Sequence, residues 1–472
     1  MALNKNTRFM AKLKKSYFCT ACGNESPKWV GKCPACGAWN TYTEEIVAAK
    51  SSPLTTNNFF SASASSGERN RPIPVHRVER SALQRIDLLN HEANRVLGGG
   101  LVPGSLVLLG GEPGIGKSTL ALQIAVRMAD TPILYVSGEE SPEQIKMRAD
   151  RIGVSNEQCL LLSETSLENI ITQLTETAPE LVVIDSIQTL YSERVESSPG
   201  SVSQVRECAA MLLKYAKETR VPVLMIGHIT KEGSIAGPKI LEHIVDVVLQ
   251  FEGDSNNAYR ILRSIKNRFG ATNEIGVFEM LNDGLREVDN PSEILVSHYD
   301  EPLSGIAIGA TIEGVRPFLL ETQALVSTSA YGTPQRSATG VDYKRLNMLL
   351  AVLEKRLGFK LGTKDVFLNL AGGFRAADTG LDLAIIAAII SSGLDIALDP
   401  DICFAGEVGL SGEVRPASRT EQRVSEAARL GFRTVVVSGY ARKALNHAPK
   451  GIEIIYVNRV DELARRVFGN RP

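Results

Sequence analysis

Residues 106–118 read Leu106-Val107-Leu108-Leu109-Gly110-Gly111-Glu112-Pro113-Gly114-Ile115-Gly116-Lys117-Ser118. Four apolar residues run into a loop of the form G-x4-G-K-[ST], and Lys117–Ala129 continues with Leu120, Ile124 and Met128 on one helical face. A buried strand, a glycine-rich loop and a helix start, in that order, make a phosphate cradle. The glycines let backbone N–H groups turn inward, and the helix N-terminus adds a favourable dipole. Gly111, Glu112, Pro113, Gly114, Ile115 and Gly116 are expected to form the cradle. Lys117 should reach the β/γ-phosphates, Ser118 should ligate Mg²⁺, and Thr119 should abut the α-phosphate side. The stretch predicts a nucleoside-triphosphate site in an α/β fold.

Outward from the loop, the same alternation recurs. Ile133–Val136, Leu160–Leu162, Leu181–Ile184 and Val223–Ile226 are short apolar runs of buried-strand type, separated by helical patterns. Ser141-Pro142-Glu143-Gln144 has an N-cap serine, a first-turn proline and a glutamine three residues after the cap, which marks a helix start. Such alternation gives a mostly parallel sheet covered on both faces. Asp185 ends one buried run and is placed to support Mg²⁺. Ser137-Gly138-Glu139-Glu140 follows the second strand, which is expected to lie beside the phosphate-loop strand. One of its carboxylates would activate the attacking water, and Glu139 is preferred over Glu140.

The chain has 472 residues, enough for two to four domains of ~100–200 residues. No run approaches the roughly 18–20 apolar residues of a membrane span, and no apolar stretch follows the basic N-terminus, so a cytoplasmic protein is expected. Lys and Arg number 52 against 53 Asp and Glu, a net charge of −1. Any nucleic-acid binding must therefore come from local patches, loops or a channel. Cys159, Cys208 and Cys403 are scattered through apolar stretches and read as small buried residues. Cys19-x2-Cys22 and Cys33-x2-Cys36 are different. Two knuckles ten residues apart supply four thiolates for a closed tetrahedral site, which suits structural Zn²⁺; a rubredoxin-type iron centre shares the spacing. From Ala48 to about Pro74 the chain is rich in Ser, Thr, Asn and Ala and reads as a tether, with Phe59-Phe60 a small docking spot. After about Asp289 a second α/β unit begins. Phe318–Val326, Val366–Leu370, Ile402–Ala405, Thr434–Val437 and Ile452–Val457 read as strands, and Asp342–Leu357, Leu381–Ser391 and Gln422–Leu430 as helices.

The knuckles, Leu97-Gly98-Gly99-Gly100-Leu101, the phosphate loop, Ser137-Gly138-Glu139-Glu140-Ser141 and Lys266-Asn267-Arg268-Phe269-Gly270 occur in the order that resembles the bacterial RadA (Sms) DNA-repair family. The likeness spans almost the whole chain. It implies a RecA-like ATP-hydrolysing core over 76–289 and a Lon-protease-like domain over 290–472. A zinc module over 1–45 and a linker over 46–75 precede them. The implied activity is a DNA-dependent ATPase, a helicase-like hexameric ring that drives branch migration of recombination intermediates. Single-stranded and branched DNA and a RecA-type recombinase are the implied partners, with ATP, Mg²⁺ and Zn²⁺ bound.

The resemblance also assigns roles. Lys266 and Arg268, after a strand from Tyr259 to Ile265, would act in trans on a neighbour's γ-phosphate. His228 would sense nucleotide state. Ser192–Arg206 and Thr230–Lys239 would be mobile loops facing a central channel, with Lys231, Gly233, Gly237 and Lys239 in the second. Proteolytic Lon domains carry a serine and a lysine where this chain has Leu381 and Glu421, so a non-proteolytic scaffold is expected. Arg316, Arg336, Lys344 and Arg345 are candidates for a DNA-contacting surface on it. Two rival classes are an ATP-dependent protease and a non-motor regulatory ring ATPase similar to the circadian-clock relatives of RecA.

Overall fold

The computed structural model describes residues 13–19, 24–48, 74, 84–153, 156–228, 238–253, 259–297, 299, 301–329, 333–446, 449 and 451–469. The linker, Cys22 and most of the loop from Thr230 lie outside these residues. The chain forms two compact units. One comprises Met1–Ser255, Arg260–Thr272 and Phe278–Glu287, and the other Asn256–Tyr259, Asn273–Val277 and Val288–Pro472.

The cysteine-rich module of the first unit is a small antiparallel sheet. It consists of β1 (Leu13–Cys19), β2 (Glu25–Ser26) and β3 (Tyr42–Ala48), in the order β2-β1-β3. Among the described residues its buried apolar set, Phe18, Cys19, Cys33 and Tyr42, is far too small to hold a fold unaided.

The larger part of this unit begins with α1 (His91–Leu97), β4 (Leu106–Gly111), α2 (Lys117–Arg127) and β5 (Ile133–Ser137). It continues with α3 (Pro142–Ile152), β6 (Cys159–Ser163), α4 (Leu167–Thr177) and β7 (Leu181–Asp185). Then come α5 (Val202–Thr219), β8 (Val223–His228), α6 (Pro238–Ile244) and β9 (Val247–Glu252). β10 (Tyr259–Asn267), β11 (Ile275–Leu281) and β12 (Gly284–Glu287) complete it. Among the described residues they form one nine-stranded sheet, β12-β11-β10-β9-β4-β8-β7-β5-β6. The six strands from β9 to β6 are parallel.

Both faces of β4 are buried. Val107 and Leu109 enter one apolar cluster with Leu120, Ile124 and Met128, while Leu106 and Leu108 enter another with Cys208, Leu212 and Ala216. This period-two split is why the strand reads as an unbroken apolar run. The expected helix start is present in full. Ser141 accepts from Gln144 N and Gln144 closes the capping box, with Pro142 in the first turn.

Three expectations need correction. β5 does not neighbour the phosphate-loop strand: β8 and β7 are inserted between them, because later strands return to the middle of the sheet. The strand before Lys266 runs on to Asn267, so Lys266 lies within it. Ser192–Arg206 is not a loose loop. Residues from Val202 onward are helical, and the buried Gln204 side chain bonds Ser192 N at 2.9 Å, Ser192 O at 3.2 Å, Val195 O at 2.8 Å and Ser197 O at 3.0 Å.

The second unit is built on a seven-stranded mixed sheet, again counted over the described residues. Its strands, in spatial order, are Arg336–Thr339, Lys364–Leu370, Arg316–Thr328, Ile306–Glu313, Ile402–Ala405, Thr434–Ser438 and Glu453–Val457. The expected strands and helices are present. Ile306–Glu313 and Arg336–Thr339 are additions: the first pairs antiparallel with Arg316–Thr328 across a turn at Gly314.

Arg423 is wholly buried here. Its guanidinium meets Asp378 Oδ2 at 2.6 Å, donates to Ser418 O at 2.8 Å and also reaches Ala310 O. Asp378→Ala would strand that cation, so the second unit should lose about 3–5 kcal/mol of unfolding free energy by urea denaturation, with Asp378→Asn milder. An unchanged midpoint for Asp378→Ala would contradict the pairing.

Candidate functional site

The phosphate loop lies at the carboxyl end of the parallel strands, where β4 runs into α2. Gly114 and Gly116 have φ of +76° and +113°, conformations open to glycine and strained for other residues. Gly116 is the N-cap of α2 and no side chain caps it, so the first-turn amides are left for a ligand. Lys117 is buried, with Nζ donating to Gly111 O at 2.9 Å and to Glu112 O at 2.8 Å. Burial pulls its ammonium down to about 8, against the opposing pull of Asp185 and Glu139. A buried cation beside two carboxylates, at an uncapped helix start, is suited to a polyanion that arrives with a metal ion.

Asp185 ends β7, is buried, and accepts from Tyr135 Oη at 2.7 Å. The next residue, Ser186, follows a cis peptide and donates from Oγ to Glu139 Oε1 at 2.6 Å. Glu139 therefore reaches past β7 even though its strand is two removed from β4. His228 ends β8 opposite Gly111 in register, and its Nε2 lies 3.3 Å from Glu139 Oε1. The other histidine nitrogen, Nδ1, is buried without a hydrogen-bond partner among the described residues. Glu140 turns the other way and pairs with Arg148 of α3. The sheet edge thus gathers Lys117, Ser118, Asp185, Glu139 and His228. Tyr135 and Ser186, which the sequence reading missed, support the two carboxylates. Their separation from those acids, 50 residues for Tyr135 and 47 for Ser186, hides them from any local motif.

Lys266 and Arg268 are not brought to this site. β10 runs antiparallel to β9, so Lys266 lies opposite Val248 and Asn267 opposite Val247, at the amino end of the parallel strands. Arg268 N donates to Asp246 O, and Asp246 N to Leu106 O. That places Arg268 level with the start of β4, five strand residues (roughly 16 Å) from the loop. The pentapeptide is held tightly there. Lys266 Nζ donates to Val245 O at 2.8 Å and also reaches Glu242 O, while Arg268 Nη1 meets Asp246 Oδ1 at 3.2 Å. Arg85 Nη2 donates to Phe269 O at 2.7 Å and Asn267 Nδ2 to Leu97 O at 3.3 Å, so the Leu97–Leu101 glycine run and the pentapeptide meet in space.

In the cysteine-rich module Cys19, Cys33 and Cys36 converge, with all their sulfurs within 4.8 Å of one another; Cys22 lies outside the described residues. The Cys19–Cys36 separation of 3.7 Å matches the edge of a tetrahedron with ~2.3 Å Zn–S bonds, about 3.8 Å. Gly37, at φ +74°, closes one knuckle, and Gly37 N donates to Cys33 O at 2.9 Å. Thr41 Oγ1 lies 3.1 Å from Cys19 Sγ and Tyr42 Oη donates to Cys33 Sγ at 3.6 Å, a second layer of support. The remaining cysteines differ. Burial pushes Cys159 up to about 11 and Cys208 and Cys403 up to about 12, so these are inert thiols.

Leu381, which the Lon resemblance sets at the place of the proteolytic serine, is buried on the wall of a cavity of about 380 Å³ that Asp378, Asp382, Arg345 and Lys344 also line. Glu421 is exposed on its helix, and the nearby buried cation is Arg423, which cannot serve as a base. Three of the candidate DNA-contacting arginines have partners in their own unit. Arg345 pairs with Asp382, Arg336 Nη1 donates to Asn347 Oδ1 at 3.1 Å, and Arg316 Nη2 donates to Val288 O at 3.3 Å.

Three family models match the chain: an AAA domain over residues 75–234, a rubredoxin metal binding domain over 17–44, and subunit ChlI of Mg-chelatase over 326–440. A protein named DNA repair protein RadA from Bacillus subtilis (strain 168) is 50% identical over 98% of this chain and 100% of its own length. Proteins of the same name from Pseudomonas aeruginosa and Listeria monocytogenes are 46% and 45% identical, each over 97% of this chain and 100% of theirs. Among solved structures, a KaiC-like protein of Pyrococcus horikoshii OT3 overlays 44% of this chain and 99% of its own, at 22% identity and a TM-score of 0.37. The RadB recombinase overlays 43% and 99%, at 23% identity and a TM-score of 0.35. Overlays this loose say nothing of function.

Two outcomes follow. The ammonium of Lys117 must be charged to hold phosphate, so ADP affinity should stay level up to about pH 8 and then fall by up to tenfold per unit. Titration with a fluorescent ADP analogue between pH 7 and 9.5 measures this; a flat profile would contradict it. Zinc analysis should return one ion per chain, and Cys33→Ser with Cys36→Ser should lose it together with the fold of the module.

Proposed function

Because the chain belongs to the family of the DNA repair protein RadA, we propose that it is a ring-forming, DNA-dependent ATPase that moves on recombination intermediates. The coarser statement stands on that membership: this is a RecA-like ATPase of DNA repair that uses ATP with Mg²⁺ and carries Zn²⁺, with a Lon-like second domain.

In the proposed mechanism the loop amides and Lys117 bind the β/γ-phosphates, Thr119 backs the α-phosphate side, and Ser118 with Asp185 holds Mg²⁺. Mg²⁺ held by these two residues would supply charge neutralisation to the phosphates. Glu139 takes the proton of the attacking water at its Oε atoms, oriented by Ser186 Oγ at 2.6 Å. His228, 3.3 Å from the same carboxylate and beside Gly111, follows the state of the γ-phosphate.

The observation that carries the proposal is the distance of Lys266 and Arg268 from their own chain's loop. Two basic residues, Lys266 at the end of a strand and Arg268 just beyond it, lie at the wrong end of the sheet for cis chemistry and suit contact with the next subunit's γ-phosphate. A ring, with a hexamer as the expected size, supplies that neighbour. DNA within it would be single-stranded or branched, and the motor would promote branch migration with a RecA-type recombinase.

Mixing tests the arrangement. Lys117→Ala and Arg268→Ala should each lose about a thousandfold or more in ATP turnover. An equimolar mixture should regain a readily measured fraction, since some interfaces then pair an intact loop with an intact finger. A mixture as inactive as its parts would overturn the trans reading.

A further inference from the structure

Arg260, the second residue of β10, is only 5% exposed. A buried guanidinium needs partners, and its Nε donates to Ile115 O, a carbonyl of the phosphate loop, at 3.1 Å. The sheet brings the two together. Leu262 pairs with Phe251 and Phe251 with Gly111, so Arg260 stands two residues further toward the loop than the end of β4. The same wing of the sheet presses on the loop from behind. A side chain at Gly111 would meet Phe251 O at 2.8 Å, and one at Gly116 would meet Met280 at 2.6 Å. Helix α2 is anchored separately, because Gln123 Nε2 donates to Leu285 O at 2.7 Å and Gln123 Oε1 accepts from Leu285 N at 3.0 Å. The Arg260 bond thus acts on one peptide group rather than on the seating of the helix.

That peptide group joins Ile115 to Gly116. It is trans, so its C=O and N–H point in opposite directions. With Ile115 O drawn back onto Arg260, Gly116 N–H is turned forward into the cradle, and no group among the described residues accepts from it. Gly116 has a φ of +113°. Turning the peptide over would carry Gly116 to a negative φ, open to any residue, and would put a carbonyl where a phosphate oxygen belongs. Glycine permits both orientations, so the backbone alone does not select the one that binds an anion. The bond from Arg260 selects it.

We propose that Arg260 is a positioning residue for the nucleotide: its Nε–H locks the Ile115–Gly116 peptide so that the Gly116 amide donates to the β-phosphate. This rests on the reading of residues 111–119 as a nucleotide site, and it adds to that site a residue from a strand that no local motif contains.

Two variants of similar shape isolate the bond. In Arg260→Gln the side-chain amide nitrogen falls at the chain position of Nε and can still donate, whereas in Arg260→Met a methyl falls there. Both forgo the guanidinium's other contacts, so the difference between them reports the Ile115 bond. By displacement of a fluorescent ADP analogue, Arg260→Met should bind ADP about tenfold or more weakly, the loss of one hydrogen bond to a charged group. Arg260→Gln should stay within about threefold of the unaltered chain. AMP, which has no β-phosphate, should bind all three proteins within about twofold of one another. The urea midpoint without nucleotide reports whether each variant is folded. Full ADP affinity in a folded Arg260→Met would overturn the proposal. Equal losses of ADP and AMP would also overturn it, as the mark of a merely structural role. A folded Arg260→Gln that binds ADP tenfold weakly would do the same whether or not Arg260→Met folds, giving the effect to charge rather than to the peptide. An unaltered chain that fails to bind ADP would instead remove the nucleotide-site reading beneath it.

Discussion

The ammonium of Lys117 is the charge on which the arrangement turns. It is buried at the start of α2, satisfied by the carbonyls of Gly111 and Glu112, and flanked by Asp185 and Glu139. A cation so placed is costly to bury, and burial pulls its proton affinity down toward neutrality. A triphosphate with its metal relieves that cost by adding negative charge against the ammonium and positive charge against the carboxylates. The sheet supplies the rigidity: β4, β7 and β8 deliver the loop, Asp185 and His228 to one edge, and the buried strands leave these ends little freedom to drift.

The other end of the same sheet is organised around a second buried charge. Asp246 accepts from Leu106 N at 3.1 Å, from Lys217 at 2.7 Å and from Arg268 at 3.2 Å. The residue that opens β4 and the basic pentapeptide are thus fixed to one carboxylate, while β4 itself ends in the phosphate loop. One strand connects a site that receives a nucleotide to a group that suits completing someone else's. That polarity is what the proposed ring of identical subunits would require, each offering one half-site to either neighbour.

Much of this was legible in the sequence, and the parts that were not have physical reasons. The loop, Asp185 and the capping box at Ser141 are local patterns, fixed by strand period, glycine conformation and helix-end hydrogen bonding. Strand order is not local. Nothing in Ile133–Ser137 says that β7 and β8 will lie between it and β4, and so Tyr135 and Ser186 went unseen as partners of Asp185 and Glu139. Ser192–Arg206 looked loose because its residues are small, yet one buried amide, Gln204, stitches it to the start of α5. In the second unit Ile306–Glu313 escaped notice because Gly309 and Ala310 dilute its apolar alternation. Gly309 is small because Leu381 and Ala384 pack where its side chain would be.

The most direct measurement is steady-state ATP hydrolysis with and without single-stranded DNA, across a salt titration. A DNA-coupled motor should turn over faster with DNA, and the stimulation should fade as salt rises, because phosphate contacts release counterions. A rate indifferent to DNA at every salt concentration would contradict the account, leaving an intact nucleotide site in a regulatory ATPase.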